Sequence, residues 1–333
     1  MQLDIALESK VGPDEFRELG LLAEQYGFRT IWAQNYSRAP DAFMIATPLA
    51  LVSKTIKVGV AVVCPHEMHP LKIANAVLTL NECAGGRACV VLTSGGDWPG
   101  VMKKKTGEIT RTREALEIIN ACLGDAVVNY AGEIYNVQAF STAWTTQPAP
   151  AIYAGAHWPK MMRMVAGIAD AVMLSDVQPE MFDWALTVLN ETRPVQKRER
   201  DFSLSNFVAW HVKEDRKKSL WEARRDLIIR GRLDREWIKP YLSPEDVDWV
   251  AANLWPFHKA FRERTGDIEG VPPHINDALV EGLTMSGDPN DIDRHIERLR
   301  AFEAAGFTEI VLGLQDDPAD SIRMIGEHVI PKL

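Results

Sequence analysis

The sequence predicts an α/β protein, specifically a (β/α)8 TIM barrel with insertions covering its C-terminal face. Three observations carry this. Amphipathic helical stretches alternate with short apolar runs, eight such runs can be counted, and in three places a helix ends at glycine with a β-rich run directly behind it. Those junctions are Tyr26-Gly27-Phe28, Ala166-Gly167-Ile168 and Ala305-Gly306-Phe307. A glycine there is expected to take the left-handed C′ conformation, and the apolar runs behind it suit strands buried on both faces.

The candidate strands lie at about 2–7, 28–33, 56–63, 87–94, 151–155, 170–175, 204–212 and 308–313. Pro13, followed by Asp14 and Glu15, opens the first helix, with Phe16, Leu19, Leu22, Ala23 and Tyr26 on one face. Near the end of the chain Ile292, Ile296, Leu299 and Phe302 repeat at helical spacing. A doubly wound sheet would want G-x-G-x-x-G after the first strand, and the sequence has none there. A barrel takes about 250 residues, so the surplus of this 333-residue chain is assigned to two insertions in one domain. They are 124–150, with a hairpin expected around Tyr130-Ala131-Gly132-Glu133, and the Trp-rich 214–283.

Composition narrows the function. Hydrophobic residues make up 46% and charged residues 25%, as in globular proteins, and the net charge of −9 opposes a phosphate backbone, so nucleic acid is not an expected partner. The basic stretch Lys197-Arg198-Glu199-Arg200 is interrupted by a carboxylate and reads as a solvated loop. No apolar run approaches the roughly 18 residues of a membrane span, and Met1-Gln2-Leu3-Asp4 does not resemble a signal peptide, so a cytoplasmic protein is expected. Cys64, Cys83, Cys89 and Cys122 match no zinc or redox spacing and read as buried thiols.

Barrel enzymes act at the C-terminal ends of their strands. Candidates there are Gln34-Asn35 after strand 2, Cys64-Pro65-His66-Glu67-Met68-His69 after strand 3, Gly95-Gly96-Asp97-Trp98 after strand 4 and Gly155-Ala156-His157-Trp158 after strand 5. His66 and His69 form H-x-x-H, but flanking prolines and the missing third ligand argue against a metal, and His69 is expected to start the next helix. Gly95 and Gly96 allow a ligand to approach the backbone with Asp97 as acceptor or acid/base, or else they only make a turn. Pro159 begins a helix whose amides face the Gly155 loop, which suits a phosphate as well as a plain connection. No G-x-S-x-G or Walker sequence supports a hydrolase or NTPase.

Taken in order, these pieces resemble the luciferase-like flavin and deazaflavin oxidoreductases, nearest in pattern to their methylene-tetrahydromethanopterin reductase members. The resemblance rests on Gly27-Phe28-Arg29-Thr30-Ile31-Trp32, on Ile56 to Pro65 with His69-Pro70 behind, and on Gly85-Gly86-Arg87 leading to Gly95-Gly96-Asp97. It continues through Arg113 to Ile119, Tyr130-Ala131-Gly132-Glu133 with Tyr135, and Ile152-Tyr153-Ala154-Gly155-Ala156, while 214–283 carries little of it.

The resemblance implies coenzyme F420 lying across the strand ends, with FMN as the alternative. It implies a non-prolyl cis peptide at Ala61-Val62 behind the ring and phosphate contacts at Ala154, Gly155, Ala156 and His157. It also implies a homodimer. Many relatives carry Asp-His after strand 2, where this chain has Gln34-Asn35; an amide takes no proton at neutral pH, so Asn35 is left to hydrogen-bond substrate or ring, with Asp97 or His157 as acid/base. Gln34, Trp98 and Trp158 are expected at the substrate pocket, and the tryptophans of 214–283 mostly in packing. The activity so implied is hydride transfer between F420 and a small organic substrate. The alternatives are an FMN-dependent monooxygenase using oxygen and a non-catalytic flavin-binding protein.

Overall fold

The computed structural model describes residues 1–8, 10–193 and 202–333, so the basic stretch at 197–200 lies outside the described residues. Eight parallel strands close a barrel: β1 (Gln2–Leu7), β2 (Thr30–Gln34), β3 (Lys57–Val63), β4 (Ala88–Leu92), β7 (Ala151–Gly155), β8 (Ala171–Ser175), β9 (Ser203–Trp210) and β11 (Glu309–Leu314), with β8 paired to β9 and β11 back to β1. All eight expected strands are present, two with the expected bounds and the others with ends shifted by at most two residues. A hairpin of β5 (Val128–Ala131) and β6 (Asn136–Phe140) and a two-residue β10 (Thr284–Met285) are the other strands among the described residues.

Helix Pro13–Gln25 buries Phe16, Leu19 and Ala23 as its periodicity requires, and helix Ile292–Ala304 buries Ile292, Ile296, Leu299 and Phe302. Gly27 and Gly306 have φ of 82° and 94°, the left-handed exits expected of them. Gly167 corrects the third junction: it lies inside helix Pro159–Ile168, which ends through an extended Ala169 that leads directly into β8. That exit is already aligned with the strand, so no left-handed residue is required.

Two glycines let large rings fill the barrel. A Cβ at Gly59 would lie 2.3 Å from the Trp32 ring, and one at Gly313 would lie 2.3 Å from Phe207. At the N-terminal end the interior is polar. The Arg29 guanidinium bonds Asp4 (Nε to Oδ1, 2.8 Å), Glu309 and the Tyr153 hydroxyl (3.2 Å), while Trp32 Nε1 donates to Asp4 at 3.2 Å. This end of a barrel serves stability rather than chemistry. Cys64, Cys89 and Cys122 are buried and Cys83 is half-buried.

The hairpin insertion lies along helix Ile109–Ala121. Buried Glu114 accepts the amides of Glu133, Ile134 and Tyr135 at 2.8–3.1 Å, and the Tyr135 hydroxyl donates to the Pro65 carbonyl at 2.7 Å, so the tip reaches the loop after β3. The insertion at 214–283 forms short helices around an apolar cluster that includes Leu227, Ile238, Val250, Phe257 and Leu279. Arg230 pairs with Asp176 after β8 at 2.9 Å, Arg225 with Asp316 after β11 at 2.7 Å, and Arg264 with Glu8 after β1 at 2.6 Å. These contacts seat it over the C-terminal ends of three strands. Among the described residues no helix is long and apolar enough to cross a membrane.

Candidate active site

The ends of β2, β3 and β4 form one side of the site. Along β2 side chains alternate, so Gln34 continues the inward face of Trp32 and is buried, while Asn35 turns the other way. The Ala61-Val62 peptide is cis, and the pairing of β3 with β4 shifts register between Ala61 and Val63. Asn35 holds this irregularity. Its amide N–H donates to the Ala61 carbonyl at 2.7 Å, and its Nδ2 donates to the Val62 carbonyl at 3.1 Å and to Glu67 Oε1 at 3.0 Å. Both side-chain protons are thereby used, so only Oδ1 remains for a ligand.

Gly96 has φ of 99°, which calls for glycine, and a Cβ there would lie 3.5 Å from the Val62 side chain. A Cβ at Gly95 would meet nothing within 4 Å, so its backbone is open. The Asp97 carboxylate accepts from the Ser37 amide at 3.0 Å and from its hydroxyl at 2.6 Å, tying the loop after β4 to the loop after β2. Trp98 buries its Nε1 without a partner among the described residues.

The second side is built at β7 and β8. A Cβ at Gly155 would lie 3.2 Å from both Thr93 and Val91, so the two sides meet across β4 and β7. The Ala156 amide donates to the Met173 carbonyl at 3.1 Å, which removes it from the expected phosphate donors. The amides that open helix Pro159–Ile168, at Lys160 and Met161, remain, because a helix supplies its first turn with no acceptor. His157 stacks on Trp237 from the insertion (centroids 4.0 Å) and meets the exposed Trp158 edge-on at 4.9 Å. Among the described residues its Nε2 is buried without a partner, and burial holds the imidazole below its ordinary pKa.

Several groups escaped the sequence reading. Glu67 also accepts from the Cys64 amide at 2.7 Å, and burial pushes its carboxyl up to about 7. Within H-x-x-H no local signal marks it, because that spacing bears only on a metal. Glu8 follows β1 and Asp176 follows β8, and no local motif marks either of them. Arg230 and Trp237 come from an insertion with no local signal tying it to the barrel. His69 caps helix Pro70–Cys83, its Nδ1 accepting from the Leu71 amide at 3.2 Å as expected. Among the described residues no three His, Cys, Asp or Glu side chains could hold a metal ion.

The glycine-lined opening, the β3 irregularity and the helix start behind Gly155 thus stand around one barrel mouth. A model of the luciferase-like monooxygenase family matches residues 1–309. The chain belongs to that family. It is 31% identical over 321 residues to a 5,10-methylenetetrahydromethanopterin reductase of Archaeoglobus fulgidus, covering 94% of this chain and 93% of that protein. The coenzyme F420 dependent tetrahydromethanopterin reductase from Methanopyrus kandleri has the same fold, with a TM-score of 0.81 at 20% identity over 99% of this chain and 98% of that one. The oxygenating constituent of a 3,6-diketocamphane monooxygenase from Pseudomonas putida, solved with FMN, shares it at 0.66 and 16% identity, over 100% and 99% of the two chains. A luciferase-like barrel is an oxidoreductase scaffold, so this protein is read as an enzyme of that class.

Proposed function

We propose that this luciferase-like protein transfers hydride between coenzyme F420 and a small organic substrate at the C-terminal face of its barrel. The observation that carries the reading is the open backbone of Gly95-Gly96 facing a β3 irregularity pinned by Asn35. The residues fit a flat anionic cofactor: the glycines leave a face uncovered, and two buried polar atoms, Trp98 Nε1 and His157 Nε2, have no partner among the described residues. When bound, the deazaflavin supplies hydride at C5.

The protein orients and encloses. Ala61 and Val62 would back the ring, Gly95 and Gly96 admit it, and the loop from Ala154 to His157, its bonded Ala156 amide excepted, would hold the phosphate with the amides of Lys160 and Met161. That helix start offsets a net charge of −9 where an anion must sit. Gln34, Trp98 and Trp158 would line the substrate side and exclude water. Asp97, fixed by Ser37, is the acid/base candidate nearest Gly96 in the chain. Helix Ala42–Val52 turns Met44 and Leu51 outward, which suits the proposed homodimer.

The test is quenching of tryptophan fluorescence on titration with F420 and with FMN, then turnover with and without oxygen, with methylenetetrahydromethanopterin and small ketones as substrates. Failure of both cofactors to bind below high micromolar concentration ends the proposal. Binding of FMN alone with oxygen-dependent turnover would make the protein a monooxygenase.

Gly155→Val is expected to abolish cofactor binding, but it also presses on Thr93 and Val91. Gly95→Val is cleaner, because its Cβ meets nothing. It should leave the melting temperature unchanged and weaken F420 binding by about tenfold or more, the equivalent of 1.4 kcal/mol. Unchanged affinity would remove Gly95 from the cofactor face. Asp97→Asn keeps one oxygen for Ser37 and is expected to lower turnover more than affinity; normal turnover would leave Asp97 a loop tie.

A further inference from the structure

The side chains of β9 alternate between two faces that their contacts identify. Trp210 packs against His295 of the outer helix Ile292–Ala304 (centroids 5.8 Å), whereas Phe207 lies against Gly313 inside the barrel. His211 follows on the side of Phe207. The chain remains extended there, its amide bonded to the Met285 carbonyl at 2.7 Å.

Register places His211 among neighbours. Trp210 is opposite Leu314, Leu314 opposite Leu7, and Leu7 opposite Ala33. One residue further along these strands the row is His211, Gln315, Glu8 and Gln34, and Gln34 is paired with Ala61 at the β3 irregularity. By alternation all of them face inward at the barrel mouth.

His211 is also oriented from behind. Its Nδ1 lies 2.8 Å from Oε1 of Glu222 on helix Arg216–Arg225, and both side chains are fully buried. Lys213 Nζ stands 3.1 Å from the other Glu222 oxygen and donates to the Asp316 carbonyl at 2.5 Å. With a cation beside it, Glu222 is held as an acceptor, so Nδ1 carries the proton and Nε2 is free to take or give one. Nε2 has no partner among the described residues. The other charges nearby are already matched: Glu8 with Arg264, and Asp316 with Arg225 and Arg264.

We propose that His211, held by Glu222, is a proton-transfer group for the substrate, in addition to the candidate Asp97. The proposal rests on the oxidoreductase reading above. Hydride adds with its electron pair to the carbon of a C=O or C=N group, the π bond breaks toward the heteroatom, and the imidazolium gives that heteroatom the proton from Nε2. Neutral imidazole remains, its Nδ1–H still on Glu222, and because His211 has no surface of its own the proton is regained from solvent through the site once product has left. Substrate oxidation runs the same steps backward.

The first test uses the unaltered protein labelled with 15N-histidine. Its His211 signals should show a protonated Nδ1, and F420, or FMN if only that binds, should move them more than those of exposed His274. Cofactor binding that leaves His211 unmoved overturns the assignment alone; binding of neither cofactor overturns the oxidoreductase reading and this one with it. The second test uses His211→Gln and Glu222→Gln. Cofactor affinity should be retained, while kcat falls by about 100-fold or more for His211→Gln, within the usual span of acid–base catalysis, and the imidazole limb of the pH–rate profile disappears. A normal kcat with that limb intact overturns the proposal.

Discussion

Arg29→Met is expected to lower the unfolding free energy by about 3–5 kcal/mol, the usual cost of stranding buried partners. Arg29 bonds two buried carboxylates, Asp4 and Glu309, and a Tyr153 hydroxyl that itself donates to Glu309 at 3.1 Å. Burial already pushes the Glu309 carboxyl up, and Arg29 opposes it. Without the guanidinium the folded state would take up protons more readily, so the deficit should shrink as pH falls from 8 to 5. Arg29→Lys should recover only part of the loss, since an ammonium lacks the planar fork that reaches several acceptors. Urea denaturation at the two pH values measures this, and a deficit under about 1 kcal/mol would mean that the barrel tolerates the open cluster.

Glu67→Gln is expected to act in the opposite direction. The folded carboxyl titrates at about 7, against 4.5 for its ordinary value, because burial disfavours its charge. Between those values the folded protein keeps a proton that the unfolded chain releases, so this group's contribution is fully present below about pH 4.5 and is lost as pH rises through 7. At 1.36 kcal/mol per unit, reduced for a half-buried site, the loss is about 1–3 kcal/mol. Glutamine keeps an oxygen for Asn35 and the Cys64 amide. The variant should therefore match the parent at pH 4.5 and exceed it by that amount at pH 8. If it is instead less stable at pH 8, the carboxylate is favoured in place and its hydrogen bonds to Asn35 and the Cys64 amide outweigh the cost of burial.

Local signals carried much of the candidate site. Gly96 was legible because a positive φ selects glycine, and the Ala154 to His157 loop because a strand running into Pro159 marks a helix start. The partners of those residues were not legible. Asn35 read as a ligand contact, yet its amide is taken up by Val62 and Glu67, which lie 27 and 32 residues away. Asp97 binds Ser37 across 60 residues, a distance at which periodicity and turn chemistry carry no information. Gly167 shows the same limit locally: the signal for a helix end was present, but the alignment of β8 decided how the helix stopped.

By itself, then, the sequence determined the alternation of helices and strands, the barrel they close and which segments end at its C-terminal mouth. Burial period and backbone preference are properties of short segments, so they can be read one segment at a time. Only the tertiary structure decided which polar groups face each other. Arg29 among Asp4, Glu309 and Tyr153, Trp237 upon His157, and Glu222 behind His211 are each brought together by barrel closure and by the seating of 214–283 on it. Their chemistry arises from burial and from a partner at about 3 Å, and neither exists until the chain has folded.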